Sequence, residues 1–168
     1  MITANTFRLD GRVALITGSS AGIGLALARG LGQSGATVVL NGRNNEKLTE
    51  AANVLRAEGL QVHSRAFDVT DADSATAAVD DIEANVGPIE ILINNAGIQR
   101  RAPLQDFPLE DWHELMRTNL DSVFLMGQAV ARKMIPRKKG KIVNICSTDR
   151  RFNRMRPSIA PRKRHQAG

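Results

Sequence analysis

Val13-Ala14-Leu15-Ile16-Thr17-Gly18-Ser19-Ser20-Ala21-Gly22-Ile23-Gly24 decides how this chain is read. Four apolar residues run into a glycine-rich turn, after which Ile23, Leu27, Ala28 and Leu31 recur at helical spacing. The order is strand, turn, helix. Each glycine has a physical reason to be there. Gly18 turns the chain out of the strand, Gly22 lets backbone N–H groups approach a pyrophosphate, and Gly24 permits close packing of the helix. The helix N-terminus adds unpaired donors and partial positive charge. The spacing is Gly-x-x-x-Gly-x-Gly rather than Gly-x-Gly-x-x-Gly, and taken alone it reads equally well as a plain turn.

Working outward, the same alternation repeats. Thr37-Val38-Val39-Leu40 is a second buried strand, residues 46–58 a helix closed by Gly59, and residues 61–67 a third strand ending at Asp68-Val69-Thr70. Residues 71–86 form a helix stopped by Gly87-Pro88, and Ile91-Leu92-Ile93 is a strand running into Asn94-Asn95-Ala96-Gly97. A short helix around Trp112 follows, then a longer one over 119–134, ended by Pro136 and a basic turn. Ile142-Val143-Asn144-Ile145 is the fifth strand, leading to Cys146-Ser147.

Apolar strands alternating with helices predict an α/β architecture, a parallel sheet covered on both faces. Right-handed crossovers, with strand order reversing between the third and fourth strands, make it a Rossmann-type doubly wound sheet of about five strands. Ligand then belongs at the carboxyl ends of the strands, where Gly18, Arg43, Asp68, Asn95 and Ser147 all fall. At Asn41-Gly42-Arg43 there is no acid to grip a ribose 2′-OH. The guanidinium of Arg43 suits a 2′-phosphate instead, which favours NADP over NAD; a solvated loop arginine is the plainer alternative.

Composition narrows the function classes. The 168 residues fit one domain and contain no apolar stretch long enough to span a membrane. The single cysteine, Cys146, excludes an internal disulfide and fits a reducing, cytoplasmic compartment; its apolar surroundings predict a small buried hydrophobe. No cluster of Cys and His has metal-ligand spacing. The net charge of +6 resides in residues 148–168, which hold seven of the 23 basic residues and one of the 17 acidic ones. That stretch has one aromatic, Phe152, and no nucleic-acid motif, so it reads as a basic, disordered tail rather than a nucleic-acid interface. The expected division is a dinucleotide-binding domain over 1–147 and this tail over 148–168.

The set of motifs at residues 17–24, Asp68-Val69, Asn94-Asn95-Ala96-Gly97, Asn119 and Ser147 resembles the short-chain dehydrogenase/reductase family, in order and spacing, across residues 7–147. The runs 39–43, 94–101 and 127–132 are most similar to its bacterial gluconate-oxidising members. The resemblance implies hydride transfer between NADP and a polyol or keto-acid such as gluconate, in a homo-oligomer. It places Gly18, Ser19, Ser20, Gly22, Ile23 and Gly24 along the diphosphate and ribose, with Ser20 and Arg43 near a 2′-phosphate. Asp68 and Val69 flank the adenine, while Asn95, Ala96 and Gly97 support the cofactor from the fourth strand. Asn119 holds a proton-relay water, and Ser147 hydrogen-bonds the substrate oxygen.

The same resemblance implies a tyrosine acid/base followed four residues later by a lysine, yet the chain contains no tyrosine. A phenol titrates near ~10 and needs a nearby cation to act as a base at neutral pH. Arg156-Pro157-Ser158-Ile159-Ala160-Pro161 is similar to the family segment before that tyrosine, which puts Arg162 and Gln166 in the tyrosine and lysine places. Arginine stays protonated and cannot serve as the base. The expectation is therefore a chain altered or cut short after about residue 147 and inactive in hydride transfer; the alternative is a catalytically silent NADP-binding remnant. Reading the DNA downstream of the Ser147 codon tests the first part.

Overall fold

The computed structural model describes residues 7–146. In chain order they form β1 (Val13–Ile16), α1 (Gly22–Gln33), β2 (Thr37–Gly42), α2 (Asn45–Ala57) and β3 (Val62–Ala66). Then come α3 (Ala72–Asn85), β4 (Ile89–Asn94), α4 (Leu109–Met116), α5 (Ser122–Arg137) and β5 (Lys141–Asn144). The strands make one sheet of order β3-β2-β1-β4-β5 with every pairing parallel. β4 returns to the far side of β1 after β3, the predicted reversal, so all the carboxyl ends share one edge. This is the expected Rossmann-type α/β sheet.

Side-chain alternation along β1 divides the core. Ala14 and Ile16 point with Val38, Leu40 and Ile93 toward Ala28 of α1 and Leu48, Ala52 and Leu55 of α2. Val13 and Leu15 point with Val39 and Leu92 toward Ala75, Val79 and Ile82 of α3 and Met126, Val130 and Met134 of α5. Away from the carboxyl edge, Glu83 accepts the N–H of Ile89 at 2.9 Å while Arg137 donates to Glu83 and to the Ile89 carbonyl. That clasp ties the ends of α3 and α5 to the start of β4.

Three local expectations need correction. Helix α5 runs through Pro136 to Arg137 before Lys138 closes it at φ +53°. A proline this near the C-terminus removes only one N–H bond from the final turn. The segment before α5 is not a helix start at Asn119 but a π turn, Arg117–Asp121, continuous with α4 and α5. Cys146 is exposed rather than buried, because β5 lies at an edge of the described sheet and all four of its residues are accessible.

Candidate functional site

The first βα turn is stitched to the exit of β4. Thr17 is 1% exposed, and its hydroxyl accepts the N–H groups of Asn95 and Ala96 at 2.9 and 3.0 Å. Asn95 answers by donating its side-chain amide to the carbonyls of Thr17 and Gly18, both at 3.0 Å. Gly18 adopts φ +61°, and a Cβ there would lie 2.8 Å from the Ala96 Cα. Gly18 thus meets both demands, a left-handed turn and a close neighbour.

Helix α1 differs from its neighbours at its start. α2 and α3 are capped by Asn44 and Asp71, which accept the N–H groups of Lys47 and Ser74, and each carries an acid in its first turn. α1 has no side-chain cap and no acid there. Its first N–H groups have no partner among the described residues, an arrangement suited to an anion.

An open cleft of about 580 Å³, its solvent-facing mouth included, lies along this edge. Gly18, Ser20 and Arg43 line it on one side. Asp68 and Val69 from the β3 exit, with Ala96 and Gly97 from the β4 exit, complete the predicted residues found there. Gly22 and Ile23 are exposed at the start of α1, whereas Gly24 is buried beneath the turn. Ser19 is fully buried: its hydroxyl donates to the Ile16 carbonyl at 2.8 Å and accepts the Asn41 N–H at 3.0 Å. Its own N–H goes to the Asn41 carbonyl at 2.8 Å, so both the hydroxyl and the N–H of Ser19 are engaged within the protein. Asn95, half-buried, is not among the residues that line the cleft.

Asn119 lies in the π turn, and its amide pairs with the backbone of Ile98, accepting the N–H at 2.8 Å and donating to the carbonyl at 3.0 Å. Its side chain therefore fixes the loop after β4. Ser147 and the tail lie outside the described residues. In the same loop Arg100 is held by Glu114 at 2.6 Å and Asp111 at 3.6 Å, while Arg101 is exposed.

Asp68 carries the main electrostatic signature. Burial would raise its pKa, but the N–H and hydroxyl of Thr70, at 2.9 and 2.8 Å, together with the fields of Arg43 and Arg117, outweigh it. The carboxyl is held below the usual carboxylate range and is ionised at neutral pH.

Thr17, Asn41 and Thr70 fall within the stretches read from the sequence but carry no assigned role there, and Thr118 falls outside them; all four join the site. Thr17 and Asn41 each end an apolar strand and are nearly inaccessible, and that break in the apolar run is the signal the sequence offers. Thr118 lines the cleft from within a turn whose π geometry has no pattern in the residues.

A family model described as short chain dehydrogenase matches residues 12–156. The chain belongs to the short-chain dehydrogenase family. Among its relatives, a gluconate 5-dehydrogenase of Gluconobacter oxydans is 58% identical over 155 residues, covering 92% of this chain and 60% of the relative. A 5-keto-D-gluconate 5-reductase of Escherichia coli K12 is 45% identical over 148 residues, covering 88% and 58%. A crystal structure of a gluconate 5-dehydrogenase from Burkholderia cenocepacia, in complex with NADP and tartrate, superposes with TM-score 0.81 at 60% identity, covering 84% of this chain and 55% of that one. The chain thus spans about 60% of the length of the curated short-chain dehydrogenases it matches.

Proposed function

We propose that this domain binds NADP(H) along the carboxyl edge of its sheet, as the nucleotide half of a short-chain dehydrogenase acting on a polyol or keto-acid such as gluconate. The observation that carries the reading is the end of β2. Gly42 and Arg43 line the cleft with Ser20, and β2 supplies no acid there to repel a 2′-phosphate. The cleft, the uncapped start of α1 and the NADP bound by the Burkholderia relative support the same assignment.

Bound nicotinamide would supply the hydride chemistry. The chain's residues hold and orient it. The free N–H groups at the start of α1 take the pyrophosphate, Ser20 and Arg43 the 2′-phosphate, and Asp68 and Val69 the adenine side. Gly97 leaves room beside Asn119, whose Oδ1 would stand 3.3 Å from a Cβ at position 97. Asn119 holds a relay water, and Ser147 contacts the substrate oxygen. With Arg100 engaged by α4, Arg101 remains for a substrate carboxylate. The exposed Leu109, Trp112, Leu120 and Phe124 support a homo-oligomer.

A second reading, that these 168 residues by themselves bind NADP without turnover, draws on their lack of tyrosine. Losing a general base costs about 10²–10⁴-fold in rate. Following NADPH absorbance with 5-ketogluconate separates the two: background turnover supports the silent reading, and turnover at a rate ordinary for dehydrogenases supports the enzyme.

A further inference from the structure

Asn41 has no part in the nucleotide contacts proposed above, yet it is 1% exposed and each of its polar groups is engaged. It lies in β2 opposite Arg65 of β3. Its backbone exchanges hydrogen bonds with Ser19, accepting that residue's N–H at 2.8 Å and donating to its hydroxyl at 3.0 Å. Its side chain reaches both ways. Oδ1 accepts the N–H of Gly18 at 3.3 Å, and Nδ2 donates to the carbonyls of Phe67 at 3.1 Å and Arg65 at 3.4 Å. Gly18 and Phe67 both line the cofactor cleft, on the sides of the glycine-rich turn and the β3 exit.

We propose that Asn41 is a positioning residue that sets the separation between the glycine-rich turn and the adenine wall, its one amide bonded to both. The consequence for nucleotide affinity rests on the NADP reading above. The amide is the group the site requires, since one end must accept an N–H and the other must donate to carbonyls. An aspartate keeps the acceptor but turns lone pairs and a buried charge toward Phe67 and Arg65. An alanine leaves the Gly18 N–H and the Phe67 carbonyl without their partner. The arrangement also takes the Gly18 N–H out of the set of phosphate donors, which leaves phosphate binding to the N–H groups at the start of α1.

The test uses the full 168-residue chain with 2′,5′-ADP as the probe, and compares Asn41→Ala and Asn41→Asp with Val79→Ala, a core truncation in α3 outside the cleft. Amide exchange of Gly18 is read in parallel. The expected result is that Gly18 is protected in the parent chain and loses protection in both Asn41 variants. Those variants should bind 2′,5′-ADP at least about tenfold more weakly. Val79→Ala should lower stability and keep affinity within about twofold, because it removes no hydrogen bond and lies outside the cleft lining. Folded Asn41 variants with unchanged affinity would overturn the proposal. If neither variant folds, the parent chain decides: Gly18 exchanging as fast as the exposed Gly22 overturns the proposal, and protection supports it. A parent chain that protects Gly18 but binds no 2′,5′-ADP overturns the NADP reading while supporting the Asn41 anchor.

Discussion

Asn95 places its side-chain nitrogen 2.5 Å from the point where a Cβ on Gly24 would stand. The Gly18 carbonyl is equally near that point and the Ser19 Cα is 2.8 Å away, so the space is closed mostly by backbone. Gly24→Ala is expected to displace the glycine-rich turn from β4 and to destabilise the fold by about 1–3 kcal/mol, as other forced overpacking does. Urea denaturation measures the cost, which should come with loss of nucleotide binding. An alanine variant as stable as the parent would show that the turn relaxes freely.

Thr17 makes a second, separable prediction. Thr17→Val keeps the shape but strips the acceptor from two N–H groups, those of Asn95 and Ala96. A loss of about 2 kcal/mol is expected, with Thr17→Ser largely restoring stability because the hydroxyl is retained. Equal midpoints for the valine and serine variants would remove the hydroxyl from the account.

At Gly42 there is room for a side chain: a Cβ would meet Ser20 Oγ at 3.5 Å and Leu48 Cδ1 at 3.6 Å, ordinary contacts. Gly42→Asp therefore fits and sets a carboxylate beside the ribose 2′ position. NADP should weaken at least about tenfold, roughly 1.4 kcal/mol, while NAD gains. The ratio of the two dissociation constants by fluorescence titration is the readout. An unchanged ratio would place the 2′-phosphate elsewhere.

The pH dependence follows from Asp68. Its folded pKa lies below the unfolded value, so its stabilising contribution is present above about pH 4 and is lost as pH falls through the folded pKa. Removing the hydroxyl with Thr70→Val brings the two values closer and flattens that acid limb. Denaturation midpoints measured from neutral pH down to about pH 3 check it; identical acid limbs in parent and variant would contradict it.

How far the sequence alone reveals this molecule depends on which contacts are local. Val13–Ile16 and Thr37–Gly42 are apolar runs ended by glycine and polar residues, and runs of that kind impose the strand-turn-helix alternation from which the sheet order follows. The cleft residues Gly18, Arg43, Asp68 and Ala96 are legible because strand ends converge in such a sheet. The roles of Thr17 and Asn41 escape a sequence reading because Thr17 bonds Asn95 across 78 residues and Asn41 bonds Phe67 across 26, relations that no local pattern displays. Cys146 defeats it for the same reason: an apolar run gives strand character but says nothing about an edge. Pro136 shows the converse, a local breaker rule softened by position within the last turn.

The most direct test of NADP binding at the carboxyl edge is a calorimetric titration of the 168-residue chain with NADP, repeated with NAD. Saturable heat with NADP at submillimolar concentration is the predicted result, with distinctly weaker binding of NAD. No heat with NADP at millimolar concentration, from a chain shown to be folded, would contradict it.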